Sequence, residues 1–303
     1  MASFVALGIF TGLIYSLVAI GYTLVYGVLR LINFAHSEVL MSGAFGGYYF
    51  LHYTMKSTDV STIVRVLILI GAVVASGAIG AIVAVAIERF AYRPLRRRNA
   101  PKLTYLISAI GASLFLQNFA AKVFGHNPSA TPQPITSNFS WNVFGTSISA
   151  FDMVLLLVTA VLFLAINTLV TKTKVGRSIR AVAQDAETAS LMGVNVNSTI
   201  AATFAVGGFM GGVAGLFIAM STTVDYNIGF TPALLAFTAA VLGGIGNIRG
   251  AMAGGVLLGI IMYVPIYWIH QPFYEPVIGF TILVLILMVR PTGLFGESLG
   301  RSA

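Results

Sequence analysis

Cysteine is absent from the 303 residues, so disulfides, thiolate metal sites and thiol nucleophiles are excluded. Charge is scarce as well. Only 9% of residues are charged, against 57% hydrophobic, and the mean hydropathy is +0.92. A soluble domain carries roughly a quarter charged residues. The histidines, at 36, 52, 126 and 270, are scattered and form no HExxH-type pair, so no metal site can be assembled. No stretch matches G-x-x-x-x-G-K-[ST], and no Ser-His-Asp set suggests itself. Catalysis, ATP hydrolysis and a bound cofactor therefore have no support in this chain.

What is present is apolar length. Uncharged runs cover 1–29, 66–87, 103–121, 153–171, 188–224, 226–248 and 250–274. Several reach the ~20 residues that a helix needs to cross the hydrocarbon core. The alternating ten-residue segments of a transmembrane β-barrel are not visible. The chain reads as an all-α polytopic membrane protein, a single domain over 1–303 with eight to nine transmembrane or re-entrant helices. Helices are expected at 4–28, 33–53, 65–88, 103–123, 151–171, 198–220, 228–245, 250–269 and 273–290. The first run is too long for a signal peptide and lacks a basic start, so it reads as a retained membrane helix.

The formal net charge of +8 is concentrated rather than spread. Arg89, Arg93, Arg96, Arg97, Arg98 and Lys102 form one basic loop; Lys172, Lys174, Arg177 and Arg180 form another. Such clusters mark the cytoplasmic side of a membrane protein and do not require nucleic acid. They place 89–102 and 172–197 inside, with the N-terminus outside and the C-terminus, after Arg290, Pro291 and Arg301, in the cytoplasm. Lys56 and Arg65 are external exceptions, softened by Asp59.

Small residues recur at helix-contact spacing: Ala72, Ser76, Gly80 and Ala84; Gly207, Gly211 and Gly215; Gly250 and Gly254; Gly255 and Gly259. They predict closely packed helices. The run "GGIGNIRG" (243–250) reads as a membrane turn containing Gly243, Gly244 and Gly246. The helices around it form either a re-entrant hairpin or two full crossings, and Arg249 in the turn favours the second.

Two stretches concentrate polar groups. In "LRLINFAHSEVL" (29–40), Arg30, Asn33, His36 and Glu38 interrupt hydrocarbon at what topology makes the cytoplasmic surface. Asn33 suits an N-cap of the second helix, and Glu38 suits its positive end. Capping does not require His36, and ionisable groups in a membrane point to function, so Asn33, His36 and Glu38 are also candidates for an inward-facing gate or an ATPase-proximal contact, with Gln117, Asn118, Gly243, Gly244 and Gly246 as further gate or pathway candidates. Gln117 and Asn118, with Asn167, are the strong polar groups at some depth, and no carboxylate sits centrally, which disfavours an ion-coupled carrier. In "GRSIRAVAQDAETASLMG" (176–193), Ile179, Val182, Ala183 and Ala186 form an apolar stripe opposite Arg177, Arg180, Gln184, Glu187 and Thr188. Gly193 is a suitable C-cap. A stripe made mostly of alanine suits a protein groove better than lipid.

Within that loop, Glu187-Thr188-Ala189 followed by Gly193 resembles the E-A-A-x-x-x-G signature of ATP-binding cassette importer permeases, with Thr188 in place of alanine. The stretches 12–45 and 243–259 resemble the LivH-type permease of branched-chain amino acid importers, and the likeness runs from about residue 5 to about 296. The resemblance implies a fold of the importer-permease type. It implies a coupling helix at 172–197 that uses Arg177, Arg180, Asp185, Glu187, Ala189 and Gly193. It also implies partners: a second, LivM-like permease, two cytoplasmic ATP-binding subunits and a periplasmic solute-binding protein, all at the bacterial inner membrane. The expected cargo is branched-chain or other hydrophobic or neutral amino acids. The alternatives are an amide or urea importer permease, or an ion-coupled secondary transporter of small neutral solutes.

Overall fold

In a bilayer each spanning segment must satisfy its own backbone hydrogen bonds, so long apolar runs fold as helices. The computed structural model describes residues 1–31, 33–55, 61–135, 140–143, 146–290 and 292–296; Lys56, Asp59, Pro291 and Arg301 lie outside the described residues. In chain order the elements are α1 (Ala2–Leu29), α2 (His36–Thr54) and α3 (Thr62–Ile87). A π-helical turn (Glu88–Tyr92) continues α3 into α4 (Arg93–Arg97), and α5 (Lys102–Phe124) follows. Three short strands, β1 (Ser129–Ala130), β2 (Ser140–Val143) and β3 (Thr146–Ser149), precede α6 (Ala150–Lys172). Then come α7 (Lys174–Gln184), α8 (Ala186–Leu191), α9 (Val196–Ser221) and β4 (Thr223–Val224). The chain ends with α10 (Phe230–Gly243), α11 (Ile248–Ile269) and α12 (Glu275–Val289). Among the described residues, α1, α3 with its extension, α5, α6, α9 and α11 are long and apolar enough to cross a membrane. The polytopic all-α architecture read from the sequence is the one observed.

The centre is built from α1 and α9. α1 packs along α11 and α9, and α9 also carries α2 and α3 on its flanks. Glycines set these distances. A Cβ at Gly12 of α1 would stand 2.7 Å from the Gly255 carbonyl of α11. Gly80 of α3 meets the Gly208 carbonyl of α9 more closely still, and the Ala72, Ser76, Gly80, Ala84 row is buried. Lipid gives no hydrophobic drive between helices, so close backbone approach supplies the packing. The small-residue rows seen in the sequence are helix contacts.

Three further helices, α2, α10 and α12, start inside the bundle. Glu38, in the first turn of α2, accepts a hydrogen bond from Ser113 of α5 (2.9 Å). Ser113 is eleven residues from Lys102 at one end of α5 and eleven from Phe124 at the other. The N-terminus of α2 is therefore about halfway through the bundle, roughly 16 Å from either end of α5. This corrects two expectations: the start of α2 is not at the surface, and carboxylates, Glu38 and Glu275, do sit centrally. Only Arg30, the αL-conformation C-cap of α1, keeps the surface position. α10 has 14 residues, about 21 Å of helix against a core of about 30 Å. Its N-cap, Gly229, lies against the Ser37 carbonyl, where any Cβ would overlap. So 228–269 is neither of the two arrangements weighed from the sequence. It is a half-crossing helix, α10, followed by a full crossing, α11. Glu275 likewise starts α12 at a Tyr15 hydroxyl in the middle of α1 (3.1 Å).

At the end carrying the basic loops, residues 292–296 fold under the glycine turn. The Leu294 and Phe295 amides donate to the Leu242 and Gly243 carbonyls (2.8 and 3.3 Å), closing the open end of α10. At the opposite end, β1 pairs with β4, and β2 and β3 form a hairpin, both antiparallel.

Candidate functional site

Two places gather the polar side chains. The first is the buried start of α2. The second helix begins at His36 with Ala35 as N-cap, so Asn33 does not cap it. Its Oδ1 instead accepts from the Ala35 amide (3.1 Å) and from the Tyr92 hydroxyl (3.0 Å), a local turn that displaces helix. His36 is 1% exposed and lies against Tyr22, ring centroids 4.6 Å apart. Its Nε2 sits among Gly21 of α1 and Gly211 of α9 with no hydrogen-bond partner, and Asn33 Nδ2 also has none. Unpaired buried polar atoms are costly and call for a functional account. Glu38 Oε1 is held by the hydroxyls of Ser37 (3.0 Å) and Ser113 (2.9 Å).

Beside this start runs an open polar face. Gln117 donates to Asn227 in the loop between α9 and α10. Asn118 is exposed and bonds only its own helix, at the Leu114 carbonyl (2.7 Å). Asn227 and Thr231, at the start of α10, are exposed too. α5 is the least apolar of the six long spans and the least buried. The structure thus brings Asn33, His36, Glu38, Gln117 and Asn118 to one region of the bundle. Asn167 is half-buried on α6. Asn227, Thr231, Ser113 and Tyr92 join the region without having been singled out in the sequence. Their only signal there was polarity within apolar runs, which serine, threonine and tyrosine share with ordinary helix contacts.

Gly243, Gly244 and Gly246 are elsewhere. Gly244 and Gly246 hold φ of +95° and +103°, and Gly243 packs on Gly250. They form the turn that seats residues 292–296, at the end of α10 away from Gly229. A cavity lined by Tyr22, Tyr26, Leu31, Phe237, Ala240 and Ile245 has about 10 Å³, at the margin of what one water needs.

The second place is the loop 172–197. It holds two helices rather than one. Asp185 is extended (φ −154°, ψ 112°) and caps α8, accepting from the Glu187 and Thr188 amides (2.9 and 3.2 Å). The Thr188 hydroxyl and these amides hold its carboxyl below the ordinary range. Gly193, at φ +84°, closes α8 in a Schellman motif: its amide donates to Ser190 and that of Val194 to Ala189. Part of the apolar stripe faces the chain's own core. Ile179, Val182 and Ala189 are buried, the last two with Ile200 and Phe204 of α9, and Arg180 bonds the Val170 carbonyl. The chain's own core thus takes Ile179 and Val182 of the stripe, while Ala183 is half-buried and Ala186 is exposed. What remains outside is Leu191, 83% exposed, and Met192, 81% exposed, with Arg177 and Glu187.

The bundle thus combines three buried helix starts with a basic loop folded onto its base, and comparison with known proteins says what such a chain is similar to. Residues 4–289 match the family model described as branched-chain amino acid transport system, permease component. The chain belongs to this permease family. It is 40% identical to the high-affinity branched-chain amino acid transport system permease protein LivH of Salmonella typhimurium and of Escherichia coli, covering 96% of this chain and 94% of each relative. BraD of Pseudomonas aeruginosa is 37% identical over the same shares. The solved structure of PsaBC from Streptococcus pneumoniae with a Fab shares the fold at 12% identity, TM-score 0.50, over 95% of this chain and 92% of that one. This permease is accordingly a multi-pass membrane protein, the transmembrane subunit type of an ATP-binding cassette importer.

Proposed function

We propose that this permease pairs with a second permease in the bacterial inner membrane and passes branched-chain or similar hydrophobic amino acids between the two. Two cytoplasmic ATPases supply the energy and a periplasmic binding protein delivers the cargo. The relatives LivH and BraD are named for branched-chain amino acid transport, which supports the cargo. The carrying observation is the exposed amide face of α5 and α10, with Asn118, Asn227 and Thr231 outward near the level of Glu38. Facing lipid, such groups cost several kcal/mol each unless paired. Covered by a second permease, they line a path instead. His36 and Glu38 stand just behind that face and act as its gate.

The basic loops lie in the cytoplasm on the Lys/Arg rule, and α8 then points at an ATPase with Leu191 and Met192 as its apolar contacts. Reconstitution of the permease with its partners in vesicles tests the whole reading. Leucine uptake that needs internal ATP is the expected result, and Asn118→Leu should lower it about tenfold with assembly intact. Uptake driven by an ion gradient without ATP would overturn the proposal.

A further inference from the structure

Where α3 leaves the hydrocarbon, a group of arginines takes no part in the path or the coupling loop. Arg89, Phe90, Arg93, Pro94, Arg97 and Arg98 line a cleft of about 380 Å³, the size range of small-ligand sites. The Glu88 carboxylate, fully buried, binds Arg93 (2.9 Å) and Arg96 (2.8 Å), and Arg96 also reaches Asn197. That leaves Arg89, Arg97 and Arg98, all exposed and without an ion pair among the described residues. Guanidinium groups crowded on one cleft repel each other until an anion joins them. Their paired N–H donors match phosphate oxygens.

The cleft also has an apolar rim. Phe90 is 78% exposed and continues the outer side of the helix that carries Ile82, 68% exposed. Twenty-seven residues separate Thr62 from Arg89, about 40 Å of helix, which matches a bilayer including its headgroup layers. A site bathed only by cytoplasm gives no reason for an outward phenylalanine above an outward isoleucine. A lipid beside the helix gives one.

We propose that this cleft holds the headgroup phosphate of an anionic phospholipid, with an acyl chain lying on Phe90 and Ile82. A guanidinium site of this kind takes a phosphodiester at the bilayer surface, and its charge attraction adds to ordinary membrane contact.

Native mass spectrometry of the complete transporter, after exchange into detergent with phosphatidylglycerol or with phosphatidylcholine, reads the site directly. The wild type should retain phosphatidylglycerol in preference to phosphatidylcholine. The triple variant Arg89→Gln, Arg97→Gln, Arg98→Gln should retain at least about fivefold less, whereas Lys122→Gln, in the last turn of α5 at the other end of the bundle, should match the wild type. Inorganic phosphate in excess should not displace the lipid. Should the triple variant fail to assemble, Arg98→Gln alone and Phe90→Ser are expected to lower retention in the same direction. Equal retention by wild type and variants overturns the site. Displacement by phosphate alone makes it a soluble-anion site and overturns the lipid reading. Loss of the ATPase from the triple variant with lipid retention unchanged assigns the arginines to a protein interface and also overturns it.

Discussion

His36 shows what a single residue contributes when its partner is missing. The imidazole is packed among Tyr22, Gly21 and Gly211 while Nε2 bonds nothing. An apolar side chain of similar size removes that unpaired atom, so His36→Leu should stabilise the permease by about 1 kcal/mol in a thermal-shift measurement. If His36 works as a gate, the same variant loses uptake. A variant that is both less stable and fully active would remove the gate role. Glu88 is the opposite case, a buried carboxylate with two arginine partners. Glu88→Ala strands Arg93 and Arg96 and should cost about 3 kcal/mol or more, read as a lower melting temperature of the detergent-purified protein. These two fates were not legible in the sequence. Both residues interrupt apolar runs, and only the position of neighbours on other helices separates a satisfied acid from an unsatisfied imidazole.

At the scale of an element, α8 depends on two sequence-local devices, the Asp185 cap and the Gly193 turn. Gly193 has open space where a Cβ would go, so the penalty of Gly193→Val is conformational: a β-branched residue tolerates φ of +84° badly. This variant should insert normally yet lose ATPase association, measured by co-purification with the partner subunits. Leu191→Ser with Met192→Ser should give the same loss without disturbing the fold, because both side chains are exposed. Normal co-purification of both variants would place the docking surface elsewhere. The Asp185 cap works in its ionised form and its pKa is depressed. Its contribution is therefore present above the ordinary carboxylate range and fades as pH falls through the lowered value. The end of α8 was readable because capping is a local rule. The break at Asp185 was not, since helix-permissive residues on both sides hide an extended cap between them.

For the whole molecule, the test is which end faces which compartment. The chain has no cysteine of its own, so single cysteines report cleanly. Cysteine at Asn127, after α5, should react with a membrane-impermeant thiol reagent added outside intact cells. Cysteine at Lys174 should react only in inside-out vesicles. The reverse pattern would invert the orientation drawn from the basic loops and move α8 away from any cytoplasmic ATPase. The same labelling probes α10: cysteine at Thr231 should react in the purified single permease and become protected once the second permease is bound.

The sequence by itself determined that this chain lives in a membrane, where its long spans lie, which faces pack closely and where the polar groups cluster. Those properties follow from composition and helical period, which neighbouring residues share along the chain. Tertiary structure alone decided depth. Glu38 reads as a helix-end residue at the surface, yet Ser113 at the centre of α5 holds it there. Gly229 reads as loop, yet it rests against Ser37 inside the bundle. A helix that begins halfway across has the same local sequence signals as one that begins at the surface, because caps and turns are set by the nearest residues. Its level in the bilayer is set by helices far away in sequence, and so is the side of α5 left uncovered for a partner.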